Sequence, residues 1–257
     1  IEDAITEEIA VTLITEVDYR TGRRHDMSAL TKRAHACGAL TVWDLAHSAG
    51  AIDVNLTAAN VDFAVGCTYK YLNGGPGAPA FIYVRPDLAE NVEPALSGWL
   101  GHVAPFDFEL NYRAGEGIDR LRVGTPPILG LVALDAALDV WDHVDMRDVR
   151  GRSVELSEAF VNEVSAGCPA LTLASPTNPE ERGSQISYHF ADGYAAMQAM
   201  IDRKIIGDFR APDLMRFGFT PLFIGLEDVR QAARTLCDVI NLKLWDDPAY
   251  KTRQKVT

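Results

Sequence analysis

The chain has 257 residues, 47% of them hydrophobic, and a formal net charge of −12 at pH 7. This length suffices for one large domain, or for a large domain and a smaller one. The acidic composition without a Lys/Arg cluster excludes a typical nucleic-acid-binding protein, and no apolar run approaches the ~20 residues that span a bilayer.

Strands and helices alternate in the first third of the chain. Short apolar and β-branched runs predict strands over residues 9–17, 40–46, 62–68 and 79–85. Helical spacing predicts a helix over residues 26–39, begun by Asp26 or Ser28 and ended by Gly38, and a short helix over 55–61. This alternation indicates an α/β fold with a mostly parallel sheet flanked by helices.

The rest of the chain changes character twice. Residues 95–125 are rich in Gly, Pro and aromatic residues without periodicity, which is typical of a functional loop. Helices are predicted over residues 126–144, 152–167, 193–204 and 226–243, and strands over residues 170–175, 184–191, 205–209 and 215–223. We therefore predict a large domain over residues 1–145 and a small C-terminal α+β domain over residues 146–257.

The four cysteines are irregularly spaced and form no CxxC pair; they are Cys37, Cys67, Cys168 and Cys237. So few cysteines in so long a chain do not indicate a disulfide framework. No cluster of His, Cys and acidic residues has the spacing of metal ligands. We expect reduced thiols, no metal and a cytoplasmic protein.

Three polar residues lie where predicted strands end. Asp44 ends the second strand, His47 follows it by three residues, and Lys70 follows the third strand. In open α/β sheets, functional groups gather at the carboxyl ends of the strands. A lysine can form a Schiff base with an aldehyde cofactor, and pyridoxal phosphate also needs a carboxylate beside its pyridine nitrogen. Taken singly, the aspartate could be a helix cap, the histidine structural and the lysine merely exposed.

Longer motifs make the resemblance specific. "DLAHSAG" is followed by "GCTYKYLNGGPGAPAFIYV", and "GWLGH", "LRVGTPPIL" and "IGDFRAPDLMRFGFTPLF" come later in the chain. Over essentially its whole length the sequence resembles kynureninase, a family of fold-type I enzymes that depend on pyridoxal phosphate. Members of that family are longer, and the chain begins at Ile1 inside a predicted element, so we expect an N-terminal part to be missing.

The resemblance implies roles around the cofactor ring. Lys70 would hold pyridoxal phosphate as a Schiff base and then transfer protons. Asp44 would pair with the pyridine nitrogen, and His47 would lie beside the cofactor in the same turn. Thr15, at the end of the first strand, matches a hydroxyl position near the cofactor.

The resemblance also implies contacts to the phosphate and the substrate. Tyr69 would bind the phosphate and is a candidate proton donor, and Trp99 would donate its indole N–H to the phosphate. Thr125 would bind the phosphate across a dimer interface. Arg216 would bind the substrate carboxylate, a task that suits the bidentate guanidinium group.

The implied reaction is the hydrolysis of L-kynurenine, 3-hydroxy-L-kynurenine or both, which yields L-alanine and the corresponding anthranilate. This reaction belongs to tryptophan catabolism and NAD biosynthesis. The family also implies a homodimer that takes a small amino-acid substrate, with sites completed across the interface and no role for nucleic acid or a membrane.

Two other interpretations stay open. Cysteine desulfurases and selenocysteine lyases share the aspartate and the lysine, but they usually have histidine directly before the lysine, where this chain has Tyr69. They also need a cysteine on a mobile loop, whereas Cys67 lies on a predicted strand. Alternatively, the chain is an inactive, truncated fragment that binds cofactor poorly.

Overall fold

A computed structural model describes residues 1–252, which form two compact units. The first unit consists of Ile1–Glu16, Asp26–Ala46 and Val54–Asp142. The second consists of Val17–His25, His47–Asp53 and the described residues from His143 onward. The sequence pattern did not indicate that two short early segments belong to the second unit.

The first unit contains a four-stranded sheet. Its strands are β1 (Val11–Thr15), β2 (Leu40–Asp44), β3 (Phe63–Cys67) and β4 (Ala80–Val84), in that spatial order. The first three strands are parallel, and β4 is antiparallel to β3. The connection from β3 to β4 contains no helix, and a chain that returns without a crossover helix pairs antiparallel. The predicted α/β fold with a mostly parallel sheet is confirmed.

Three helices accompany this sheet: α1 (Met27–Ala36), α2 (Pro86–Ala89) and α3 (Ile128–Leu138). Asp26 begins α1, because its carboxylate accepts a hydrogen bond from the amide of Ala29 at 2.9 Å. The helix predicted over residues 55–61 is wrong, since the structure has turns there. Asn60 lies in the left-handed region at φ 53°, a conformation that an α-helix does not continue through.

The two faces of the first sheet differ in burial. Side chains alternate between the faces along each strand. Trp43 and Ala64 are buried on one face, where the Trp43 indole nitrogen donates to the hydroxyl of Thr31 on α1 at 3.0 Å. On the other face, apolar residues such as Leu13 and Ile82 are exposed. Thr15 and Asp44 belong to this second, more open face.

The second unit is an α+β arrangement with an antiparallel sheet. Its strands are β5 (Thr172–Leu173), β6 (Gln185–His189), β7 (Asp208–Arg210) and β8 (Leu214–Gly218), in the spatial order β5-β6-β8-β7. Its helices are α4 (Met146–Gly167), α5 (Gly193–Asp202), α6 (Leu226–Asn241) and α7 (Pro248–Lys251). Aromatic and aliphatic side chains from the sheet and from α4, α5 and α6 form one buried core. None of the helices within residues 1–252 is long and apolar enough to cross a membrane.

Candidate active site

The carboxyl ends of the parallel strands bring a hydroxyl and a carboxylate together. Thr15 on β1 lies directly opposite Asp44 on β2, and Asp44 lies opposite Val65 on β3. Residues opposite each other in a parallel pair project to the same face of the sheet. The Thr15 hydroxyl and the Asp44 carboxylate are therefore neighbours on the open face of the sheet.

The Asp44 carboxylate is oriented by the turn that follows β2. Its Oδ1 accepts a hydrogen bond from the amide of Ala46 at 2.8 Å, and the side chain is half-buried. A carboxylate has two oxygens with about four acceptor positions. This bond fixes the carboxylate plane through Oδ1, and Oδ2 can accept a hydrogen bond from a ligand.

Lys70 lies three residues beyond the end of β3, in a turn that hydrogen bonds hold in place. The Thr68 hydroxyl donates to the carbonyl of Pro79 at 2.5 Å, and the Lys70 carbonyl accepts from the amide of Asn73 at 2.9 Å. The Lys70 Nζ lies 5.4 Å from the centroid of the Tyr69 ring, and Tyr69 is itself exposed. The amine thus lies over the aromatic ring of the residue that precedes it on the same turn.

Two contacts connect β3, the strand that leads to Lys70, with the turn after Asp44. The thiol of Cys67 approaches the carbonyl of Ala46 at 3.7 Å, and the amide of Leu45 donates to the carbonyl of Val65 at 2.8 Å. Both contacts join β3 to the residues directly after Asp44. The two turns therefore leave neighbouring strands at the same edge of the sheet.

Helix α3 supports the loop that follows Lys70. Gly130 on α3 lies so close to this loop that a Cβ atom at its position would be 2.7 Å from the carbonyl oxygen of Gly77. Beyond the helix, the indole nitrogen of Trp141 donates to the carbonyl of Leu72 at 3.4 Å. The "NGGPG" segment is thus packed against α3.

Trp99 and Thr125 come together through a close approach of two backbone segments. A Cβ atom at Gly98 would lie only 1.6 Å from the carbonyl oxygen of Val123, so only glycine fits there. The Trp99 indole nitrogen lies 4.0 Å from the position of a Cβ atom on Gly124, the residue before Thr125. Trp99 and Thr125 are both exposed, so the indole N–H and the hydroxyl are accessible to a ligand.

The two other predicted residues belong to the second unit. His47 is half-buried in the turn after β2. Arg216 is on β8, and its guanidinium group is largely buried. Its Nη1 donates to the carbonyl of Tyr19 at 2.5 Å, and its Nη2 forms an ion pair with Asp208.

Comparisons with known proteins support the sequence motifs. A sequence profile described as the kynureninase C-terminal domain matches residues 149–236. The chain is 46% identical over 256 residues to a kynureninase from Pseudomonas fluorescens, covering 99% of this chain and 62% of that protein. The sequence resemblance to kynureninase is confirmed. The chain spans about 62% of the length of this curated relative, so the relatives are longer, as expected.

Solved structures show the same fold at low sequence identity. A cysteine desulfurase from Thermococcus onnurineus matches with a TM-score of 0.78 and 21% identity, covering 93% of this chain and 62% of that one. A lyase with glycine covalently linked to its pyridoxal phosphate cofactor matches with a TM-score of 0.78 and 17% identity. This match covers 92% of this chain and 62% of the lyase. The fold is thus that of the fold-type I enzymes, whereas the much higher sequence identity is to kynureninase.

Kynureninase motifs pointed to Arg216 but not to the groups that hold it. Asp208 lies directly opposite Arg216 in the β7–β8 pair. The signal for this contact was present, because a short turn at residues 211–213 joins the two predicted strands in a hairpin. The Tyr19 carbonyl gave no sequence signal, since any residue has a carbonyl group.

Proposed function

We propose that this chain forms part of a pyridoxal-phosphate-dependent kynureninase that hydrolyses L-kynurenine, 3-hydroxy-L-kynurenine or both. The observation that carries the proposal is the position of Asp44 and Lys70 after neighbouring parallel strands, with direct contacts between β3, the strand that leads to Lys70, and the turn after Asp44. The 46% identity to a kynureninase over 99% of the chain favours this reaction over others that occur on the same fold.

The side chains at this edge fit pyridoxal phosphate by their chemistry. When bound, this cofactor supplies an electron sink for carbanions that form on the substrate. The Asp44 Oδ2 would accept the N–H of the pyridine ring, since Oδ1 already accepts the Ala46 amide. The Lys70 Nζ would bond to the cofactor aldehyde, and Thr15 and His47 would lie beside the ring.

The phosphate would be bound by donors from the loop between α2 and α3 and by the Lys70 turn. The Trp99 indole N–H, the Thr125 hydroxyl and the Tyr69 hydroxyl are all accessible on exposed side chains. Hydrogen bonds to a charged phosphate are roughly twice as strong as neutral ones. We assign Thr125 to the cofactor of the partner subunit in a homodimer.

Three residues would act on the substrate. Arg216 would bind the substrate carboxylate, and the Lys70 amine would move the proton of the substrate Cα. Hydrolysis of the Cβ–Cγ bond consumes one water and returns one proton to Cβ. Tyr69 is the proposed donor of that proton, because its hydroxyl is exposed and its ring faces the Lys70 Nζ. The products are L-alanine and anthranilate or 3-hydroxyanthranilate, released in the cytoplasm as part of tryptophan catabolism.

The proposal is tested with the full-length protein and the Lys70→Ala variant. We expect the wild type to develop a Schiff-base absorbance band with pyridoxal phosphate and to release anthranilate from kynurenine. The Lys70→Ala variant loses both, because no amine remains to bond to the aldehyde. Lys32→Ala, which removes an exposed lysine from α1, is the matched control and retains both. Retention of the band and the activity by Lys70→Ala would contradict the proposal.

A cysteine desulfurase is the second candidate, because desulfurases share the fold with a TM-score of 0.78. Against it, Cys67 is the last residue of β3, and its thiol approaches the Ala46 carbonyl at 3.7 Å. A cysteine held in this way is poorly placed to act as a mobile sulfur acceptor. Parallel assays with kynurenine, 3-hydroxykynurenine and cysteine separate the candidates, and turnover of cysteine alone would favour the desulfurase.

A further inference from the structure

Asp208 on β7 binds two arginines at once. Its carboxylate accepts from Arg210 Nη1 at 2.9 Å and from Arg210 Nη2 at 2.8 Å, and its Oδ2 also forms the ion pair with Arg216 Nη2. The Arg216 side chain is only 13% exposed, whereas that of Arg210 is 41% exposed. Asp208 and Arg216 are directly opposite each other, so the backbone pairing of β7 and β8 maintains the contact.

A second fixed point holds the other end of the Arg216 guanidinium group. Its Nη1 donates to the carbonyl of Tyr19, in the segment Val17–His25 of the same unit. That carbonyl also accepts from the amide nitrogen of the buried Gln185 side chain at 3.0 Å. Asp18 fixes the same segment, because its Oδ1 accepts from the amide of Thr21 at 2.7 Å. The guanidinium group is therefore bound from two elements of the unit.

We infer that Asp208 is a positioning residue that fixes the Arg216 guanidinium group for the substrate carboxylate. This inference rests on the proposed function, in which Arg216 binds that carboxylate. An arginine side chain loses much rotamer freedom when it binds a ligand, unless its guanidinium group is already held in place by other contacts. Asp208 and the Tyr19 carbonyl hold it before the substrate arrives.

The donor count and the charge both suit an anionic ligand. A guanidinium group has five N–H donors, and the bonds to Asp208 and Tyr19 use one donor on each terminal nitrogen. The remaining N–H groups of the Arg216 guanidinium group can therefore donate to a carboxylate. The negative charge of Asp208 is balanced by Arg210, so the three side chains together retain one positive charge for an anion.

The test uses the full-length holoenzyme with Asp208→Asn and Asp213→Asn. Asp208→Asn retains the size of the side chain but removes its charge. We expect its KM for kynurenine to rise about tenfold with kcat within about twofold, because ligand binding must then order the arginine. Asp213→Asn is the matched control, since Asp213 lies in the turn between the same two strands and pairs with His189 instead. Its KM stays at the wild-type value.

Two further variants keep the test decisive. Asp208→Glu retains the charge but moves it by one methylene group, so its KM lies between those of the wild type and Asp208→Asn. If Asp208→Asn does not fold, Asp208→Glu takes its place in the test. A wild-type KM in Asp208→Glu then overturns the inference. In an Arg216→Lys background, the effect of Asp208→Asn disappears, because Asp208 acts through the arginine.

The outcomes also separate this inference from the proposed function. If Arg216→Lys leaves KM unchanged, the proposed carboxylate-binding role of Arg216 fails, and the inference fails with it. If Arg216→Lys raises KM but Asp208→Asn behaves like Asp213→Asn, only the positioning role is overturned. A fall in melting temperature with an unchanged KM would likewise assign Asp208 a purely structural role.

Discussion

Three aspartates show how differently a carboxylate is used in this molecule. Asp44 is half-buried and has one oxygen bound by the following turn. Asp208 binds two arginines, one of which, Arg216, is the proposed substrate-binding residue. Asp62, directly before β3, is buried and accepts hydrogen bonds from the side chains of His35 and Arg85. Asp62 lies at the opposite end of β3 from Lys70. We therefore interpret its contacts with His35 and Arg85 as structural.

Asp62 makes the stability of the first unit dependent on pH. Burial alone would raise the pKa of Asp62, but hydrogen bonds from His35 and from the amide and hydroxyl of Thr41 outweigh burial and hold the pKa below its ordinary value. A carboxylate with a depressed pKa in the folded state stabilises that state above its unfolded-state pKa. This stabilisation is lost as the pH falls through the folded-state pKa.

We therefore expect Asp62→Asn to reduce the free energy of unfolding at pH 7 by about 1.5–3 kcal/mol, the usual value of hydrogen bonds to a charged group. The difference from the wild type should begin to shrink below about pH 4, the unfolded-state pKa, and should disappear below the lower folded-state pKa, where the native carboxylate is protonated as well. Urea unfolding at several pH values measures this. Asp87→Asn is the control, because Asp87 pairs with the same Arg85 but is exposed, and its effect should be much smaller. A difference that stayed constant down to pH 2 would contradict the assignment.

At the scale of elements, each loop beside the sheet is positioned by a close contact with another segment. The Lys70 turn is bound through Thr68 to Pro79, the residue directly before β4, and its glycine-rich continuation packs on α3 at Gly130. The loop over residues 95–125, between α2 and α3, was expected to be irregular and functional. It contains two short 3₁₀ turns, Trp99–Gly101 and Gly117–Leu121, and it folds back on itself at Gly98.

Gly98→Ala tests whether this close approach serves the phosphate. The added methyl group would overlap the Val123 carbonyl, so the segments with Trp99 and Thr125 must separate. We expect the dissociation constant for pyridoxal phosphate to rise about tenfold, as the loss of one charge-assisted hydrogen bond implies. Titration of the apoenzyme measures it. Gly151→Ala on α4, where nothing lies within 4 Å of the new methyl group, is the control with unchanged affinity. An unaltered constant in Gly98→Ala would exclude this role.

At the scale of the whole molecule, each unit has its own sheet and its own proposed site residues. The core of the second unit centres on Phe160 of α4, whose ring lies 5.0 Å from that of Phe217 and 5.5 Å from that of Phe219. Phe217 follows Arg216 on β8, so this core fixes the strand that carries the arginine.

Phe160→Ala should therefore destabilise the second unit by about 3–5 kcal/mol, because it leaves a cavity in a closely packed core. Phe223→Ala, at an exposed position, should change stability by less than ~0.5 kcal/mol. Denaturant unfolding followed by circular dichroism measures both variants. Equal effects of the two substitutions would show that the Phe160 site is not part of a rigid core.

Local patterns in the sequence determined most of the elements, since hydrophobic periodicity, capping residues and turn residues act within a few neighbours. They located the strands of the first sheet and placed Asp44 and Lys70 at strand ends, and the kynureninase motifs named the candidate site residues. The same local reasoning was wrong over residues 55–61, where Asn60 takes a left-handed conformation that periodicity does not reveal.

The tertiary structure alone decided which distant residues became neighbours. Strand register placed Thr15 beside Asp44 and Asp208 beside Arg216, and a backbone contact at Gly98 brought Trp99 towards Thr125. The tertiary structure also assigned the segments Val17–His25 and His47–Asp53 to the second unit. Such pairings follow from backbone hydrogen bonds and burial between segments far apart in the chain. Periodicity identifies a strand and its faces, but only the packed structure selects the partner and the register.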